Sequence, residues 1–209
     1  MIDAARFELI RRKHGAYASW ALWAPSSGPP KSNMGDLGVL SEHLNPSLLE
    51  TLNPGVVMVG LNVAARSLAS EPFRNFHDPS PVADDFKIRF AFAGTEFWGA
   101  YMTDIIKNHP ETQSKRLLVH LMTHPEEIPP HIERLRAELH DLGCARPVIL
   151  AFGKAVYRLL KNHLLIHEYS LLLPLTHYSH RISKENYQKA VLAQIERAMP
   201  READRMKEE

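Results

Sequence analysis

Two short, almost unbroken apolar runs, GVVMVGLN at 55–62 and PVILAFG at 147–153, constrain this chain more than any other feature. A strand that is apolar on both sides must be covered on both sides, which is the signature of a parallel sheet with helices on either face. WGAYMTDII at 98–106 and SLLLPLTHYSH at 170–180 read as two further strands, the second ending in polar residues. Helical patterns fall between and after them. Residues 126–142 carry Ile132, Leu135, Leu139 and Leu142 on one stripe and stop at Gly143. KAVYRLLKNHL follows the third strand, and Ser183 caps a last helix carrying Tyr187, Val191, Ile195 and Met199. Shorter helices are predicted at 4–13 and at 46–52, the latter opened by Asn45 and Pro46. Alternating strand and helix predicts an α/β sandwich around a mostly parallel sheet of four strands.

The sequence contains no repeat and no sign of a second core, so one domain is expected over 1–209. Within it, residues 1–45, with Trp20, Trp23 and the turn-rich SSGPPKSNMGD at 26–36, are expected to form a flap or lid. Residues 200–209 are expected to fray. With 44% apolar and 23% charged residues, a packed core is expected and wholesale disorder is not. The formal charge of +1 excludes a uniformly basic nucleic-acid coat but leaves room for a local basic groove. The single cysteine, Cys144, excludes an intramolecular disulfide and a four-cysteine iron–sulfur or zinc site. No apolar stretch approaches the ~18 residues of a membrane span, and the charged N-terminal pattern lacks the apolar core of a secretory signal. A soluble, cytoplasmic monomer is the expectation, without metal or cofactor.

Open parallel sheets bind ligands beyond the carboxyl ends of their strands. Polar residues gather there in this sequence. Asn62 follows the first strand, and a long loop then brings Phe73, Asn75, Phe76, His77 and Asp78. Thr103 and Asp104 sit in the second strand, Gly153 and Lys154 follow the third, and His177, Tyr178, Ser179 and His180 follow the fourth. A P-loop at Gly153-Lys154 is excluded, because Val148 stands where the motif needs glycine and Ala155 where it needs Ser or Thr. A metal-dependent hydrolase built on His77-Asp78 and on His177 with His180 is a rival reading, although no fixed metal-binding spacing supports it.

Three segments, in order, resemble the uracil-DNA glycosylase superfamily. Gly60-Leu61-Asn62 matches the first and third positions of its Gly-x-Asn-Pro-Gly motif. Tyr101-Met102-Thr103-Asp104-Ile105-Ile106-Lys107 parallels its Tyr-Ile-Thr-Asn-Val-Val-Lys segment, and His177-Tyr178-Ser179 stands at its His-Pro-Ser motif. The resemblance covers roughly residues 55–185, about one domain. It departs at Val63 and Tyr178, which replace prolines, and at Asp104, which replaces the asparagine that reads uracil. The resemblance implies a three-layer α/β/α sandwich and a monofunctional DNA glycosylase that hydrolyses the N-glycosidic bond of a flipped-out base. It implies that Asn62 orients the attacking water, alone or with a carboxylate such as Asp78, and that His177 hydrogen-bonds the departing base.

Phe73, Phe76 and His77 are candidates to hold the extruded base, the alternative for each being the core. Lys154, Ser179, Arg181 and Ile182 are candidates to contact DNA, the last two as a wedge. Asp104 points to the base itself. An ionised aspartate only accepts hydrogen bonds, which suits the N4 amino group of cytosine and opposes the O4 of uracil. A cytosine-type base, modified or damaged, is therefore expected over uracil, and a hypermodified cytosine of phage DNA fits. The partner is DNA, double- or single-stranded, and the setting is base-excision repair or antiviral defence. Uracil-DNA glycosylase activity proper and a non-catalytic nucleic-acid-binding protein of the same fold are the alternatives.

Overall fold

A computed structural model describes residues 1–63, 71–107 and 114–199. Among these residues the chain forms an α/β fold around one five-stranded sheet, ordered β1–β3–β2–β4–β5. The strands are β1 (Ser19–Trp20), β2 (Asn53–Asn62), β3 (Ala100–Ile106), β4 (Val148–Phe152) and β5 (Leu171–Leu175). The four longer strands run parallel, and β1 pairs antiparallel with β3 through Ser19 opposite Met102 and Trp20 opposite Tyr101. The expected four strands are thus all present, and the fifth is a two-residue edge too short to show any alternation.

Both faces of the sheet are covered, as the doubly apolar strands require. One face presents Val57, Val59, Leu61, Ile105, Ile149 and Ala151 to α1 (Ala4–His14), α4 (Ser114–Thr123), α5 (Ile128–Leu142) and α6 (Lys154–His163). The other presents Met58, Met102, Leu150, Phe152 and Leu175 to α3 (Phe86–Phe92) and α7 (Lys184–Ala198). This layering is compatible with a three-layer sandwich. α5 ends where Gly143 adopts a left-handed φ of 78°, and the Ser183 side chain accepts from the Asn186 amide to cap α7.

Three local expectations need correction. The strand expected at 170–180 ends at Leu175, and the polar residues after it form a turn. The short helix α2 (Leu48–Thr51) starts later than Asn45-Pro46 implies, because the Asn45 carboxamide instead donates to the Val39 carbonyl and accepts from Ser47. α4 was not foreseen, since its buried face amounts to little more than Leu117 and Leu121. The 200–209 tail lies outside the described residues. The N-terminal segment packs down firmly: Trp20 and Trp23 are buried, and the Arg89 guanidinium donates to the carbonyls of Ala24, Pro30 and Ser32. Among the described residues no helix is long and apolar enough to cross a membrane.

One polar cluster is enclosed by this apolar packing. Glu138 of α5 is fully buried and accepts from the Tyr101 hydroxyl at 2.5 Å and the Thr103 hydroxyl at 2.8 Å. Its second carboxylate oxygen lies 2.5 Å from Lys107 Nζ, which also donates to the Asp104 carbonyl at 2.9 Å. Burial, then the Glu138 charge, pushes the Tyr101 hydroxyl well above its ordinary pKa, so it remains a donor. Removing one partner of a buried ion pair strands the other charge. Lys107→Ala should therefore lower stability by roughly 3–5 kcal/mol in urea unfolding, and adding Glu138→Gln should recover much of that loss. A Lys107→Ala chain as stable as the parent would show that the pair does not hold β3 to α5.

Candidate active site at the carboxyl edge of the sheet

The chain leaves β2 toward β3 on one side and leaves β4 toward β5 on the other. The loops therefore diverge between the carboxyl ends of β2 and β4, which is where open parallel sheets bind ligands. Asn62 ends β2, Gly153 follows β4, Asp104 lies near the end of the neighbouring β3, and His177 lies just past β5.

Strand alternation gives the YMTDIIK segment its logic. Tyr101 and Thr103 turn to Glu138 on one face of the sheet. Asp104 turns to the other face, beside its register partner Gly60. The approach is so close that a Cβ on residue 60 would sit 2.2 Å from Asp104 Oδ1 and 3.7 Å from the Phe76 ring. Glycine is needed at 60 for that reason. Asp104 Oδ2 accepts from Asn75 Nδ2 at 2.9 Å, and the same amide nitrogen donates to the Tyr17 carbonyl. Burial raises the Asp104 carboxyl to about 7, against the opposing pull of the Asn75 hydrogen bond and the Lys107 charge. Asp104 is therefore not the permanently ionised acceptor that the sequence reading assumed; near neutral pH it exists in both forms.

His177 is the best-defined group at this edge. Its Nδ1 accepts from the Ser179 backbone N–H at 3.1 Å and lies 2.9 Å from the Ser179 hydroxyl. A backbone N–H can only donate, so Nδ1 is the unprotonated nitrogen and Nε2 carries the hydrogen. Burial lowers the ring to about 4 despite the nearby Asp84 charge, so the imidazole is neutral at physiological pH. Tyr178 stacks on it, with ring centroids 4.4 Å apart, and meets Phe152 and Phe76 edge-on. The aromatic series Phe76–Tyr178–His177 thus links the floor beside Asp104 to the end of β5.

Asn62 is half-buried, and its Nδ2 donates to the Val63 carbonyl at 3.2 Å, which makes the carboxamide oxygen its acceptor end. The Asp78 carboxylate caps a turn, accepting from the Ser80 amide and hydroxyl, while its own N–H donates to Asp85. Phe73 and Phe76 both adopt left-handed φ near 66°, an uncommon state for bulky residues, and so diverge. Phe73 packs against Phe7 in the core on the α1 side, with its amide held by the Gly15 carbonyl. Phe76 alone reaches the Asp104 side. His77 is fully enclosed beside Trp23, near the Trp20 and Met34 backbones, and burial lowers it to about 3. The structure does not bring Phe73 or His77 to the candidate site: each fills the core instead, and Phe76, though beside Asp104, is itself buried in the core on the α7 side.

Among the DNA-contact candidates, Lys154 opens α6 and lines a cleft of about 680 Å³ together with His177 and His180. Ser179 is bonded to His177, and Arg181 is exposed. Ile182 is half-buried against the core on the α7 side. Among the described residues no group of three or more His, Cys, Asp or Glu side chains is arranged to hold a metal. Sequence reasoning missed Asn75 as the partner of Asp104. It also missed Asp84 and Asp85 ahead of α3, whose charges act on His177 and Asp104 respectively. Lys87 joins this segment to the His177 loop, pairing with Asp84 at 3.1 Å and donating to the His180 carbonyl. The paired aspartates before a helix were the visible signal.

A carboxyl raised from 3.8 to about 7 holds its proton longer in the folded chain than in the unfolded one. Its stabilising contribution is complete below pH 3.8 and is lost as pH rises through about 7. Asp104→Asn should therefore gain stability over the parent at pH 8 relative to pH 5, measured by urea unfolding at both values. A difference that does not change with pH would mean that Asp104 titrates normally.

The chain matches no family model, no curated protein and no solved structure.

Proposed function

We propose that this chain is a monofunctional DNA glycosylase on a uracil-DNA glycosylase-like three-layer fold, acting on an extruded cytosine-type base, modified or damaged. The observation that carries the reading is His177: a neutral imidazole with its Nδ1 occupied by Ser179, and hence an Nε2–H donor at the carboxyl edge of a parallel sheet. Hydrolysis of an N-glycosidic bond sends the bonding pair out with the base, while water adds to the sugar carbon and its lost proton ends, in the overall balance, on the departed base anion. A neutral donor suits the departing anion, since it stabilises charge that appears only as the bond breaks. Asn62 supplies the acceptor that orients the water. Asp84, whose charge is felt at His177, favours the cationic character of the sugar in the transition state. Asp78, the carboxylate expected to assist Asn62 with the water, is committed to its turn, which leaves Asn62 the stronger candidate for that role.

Phe76 supplies an aromatic surface beside Asp104, and Asp104 reads the base. Its ionised form accepts from a cytosine N4 amino group; its protonated form donates to a uracil O4. Base preference then depends on pH, with the cytosine-type base favoured above about 7 and uracil gaining below it. Lys154 and Arg181 supply charge for the phosphates. Repair and defence against DNA carrying modified bases are both settings for such chemistry.

Mass spectrometry of bases released from DNAs bearing uracil, hypoxanthine, xanthine and modified cytosines tests the reading. Asn62→Ala and His177→Ala should each lower release by roughly 10²-fold or more with DNA binding retained. Full release by both variants would remove the site assignment. Asp104→Asn should abolish the pH dependence of base choice and raise activity on uracil. A parent chain that prefers uracil equally at pH 6 and pH 8 would overturn the role of Asp104.

A further inference from the structure

We propose that the cleft between the start of α6 and the end of β5 seats the nucleotide next to the extruded one, and that the substrate is single-stranded DNA. The inference rests on the glycosylase reading and adds the strandedness of its substrate. The cleft, of about 680 Å³, is lined by Lys154, Tyr157, Arg158, His177, His180 and Gln194 among others. That volume lies within the roughly 300–1,000 Å³ of small-ligand sites.

Its charge is arranged against the interest of the helix that carries it. Lys154 and Arg158 lie one turn apart at the positive end of the α6 dipole, with no acidic residue in the first turn. Neither forms an ion pair with a carboxylate among the described residues. Gly153 caps the helix without a side-chain hydrogen bond. Like charges stacked on an uncapped amino end are unfavourable for α6 alone and become favourable once an anion lies between them. Half-buried Tyr157 adds an aromatic wall. Gln194 accepts from the Thr176 amide through Oε1, which leaves its amide N–H₂ as the donor end. Cations, an aromatic ring and an amide donor in one concavity match a phosphate, a base face and a base edge.

Strandedness follows from two further observations. His177, the proposed base-release donor, itself lines this cleft with its loop neighbour His180, so a nucleotide seated in the cleft is adjacent in the strand to the one whose base His177 meets. In a duplex, the neighbouring base is paired and stacked, and entering a concavity would break a second pair. Ile182, the apolar side chain best placed by sequence to fill a gap in a duplex, packs inward on the core instead.

Fluorescence anisotropy with unmodified oligothymidylate and with the matching duplex, at one fixed salt concentration, tests the inference on the full chain. The single strand should bind about 10-fold or more tighter than the duplex. Tyr157→Ala and Arg158→Ala should each weaken single-strand binding by about 5-fold or more. Arg12→Ala, which removes an exposed cation on α1, should have little effect, and circular dichroism verifies the fold of each variant. Equal or tighter duplex binding overturns the inference, as does a loss no greater for the cleft variants than for Arg12→Ala, whether or not base is released. Single-strand binding that depends on Tyr157 and Arg158 without release of any base upholds the cleft and removes the glycosylase reading instead.

Discussion

The buried Glu138 carboxylate is the constraint around which the candidate site is arranged. Placing a carboxylate in an apolar layer is unfavourable unless it is paired and hydrogen-bonded; Tyr101 and Thr103 donate to one oxygen of Glu138, and Lys107 pairs with the other. Two of these are alternate residues of one strand and the third lies just beyond its end. Their convergence on a single α5 side chain fixes the register and rotation of β3 against that helix. Because side chains alternate across a strand, fixing Tyr101 and Thr103 on the α5 side directs Asp104 to the opposite face. Lys107 also holds the Asp104 carbonyl, so the same cluster secures the backbone that carries the carboxyl. The segment that most invites a catalytic interpretation is thus mostly scaffold: three of its four polar side chains bind Glu138, and one reaches the site.

The parts of this molecule that were legible in the sequence are those governed by local rules. β2 and β4 announce themselves because a strand buried on both faces is apolar at every position, and α5 and α7 because their stripes end at Gly143 or begin at Ser183. β1 was not legible: two residues carry no period, and their pairing with β3 is tertiary. The Phe73–His77 stretch could not be resolved between base contact and core from sequence, for a related reason. Without helix or strand, spacing says nothing about direction, and the left-handed backbone at Phe73 and Phe76 sends two rings three residues apart into different cores. The positions of Asn62, Asp104 and His177 at the carboxyl edge could be foreseen from strand ends alone. The environment of Asp104 could not, since Asn75, Asp85 and Glu138 come from three other segments.

His177 shows how a loop position acquires a defined chemical state. The ring of a histidine has two tautomers of similar energy in water, and only surroundings choose between them. Here the choice is made two residues away, by the Ser179 backbone N–H, so it needs no remote partner. Stacking on Tyr178 then fixes the plane, and burial keeps the ring neutral. Tyr178 stands where the resembling motif has a proline. A ring can fulfil the positioning role that a rigid backbone would otherwise serve, because it stacks on His177 while meeting Phe152 and Phe76 edge-on.

A formal charge of +1 conceals a separation of charge that bears on the proposed glycosylase reading. Near the carboxyl edge, the interior holds carboxyl groups: Asp85 and Asp104 are buried, and Asp84 is two-thirds covered. The rim holds exposed cations, Lys154 and Arg158 on α6 and Arg181 beyond β5. On the proposed reading, reversed signs would repel phosphates at the rim and a developing positive sugar inside. As arranged, cations attract a polyanion from solution, where field strength falls off over about 10 Å at 0.1 M salt. The carboxyl groups act at short range, where lower dielectric strengthens them. Lys87 pairs with Asp84 and donates to the His180 carbonyl, so part of the Asp84 charge is balanced locally. That single lysine thus ties the acidic segment ahead of α3 to the loop that carries His177.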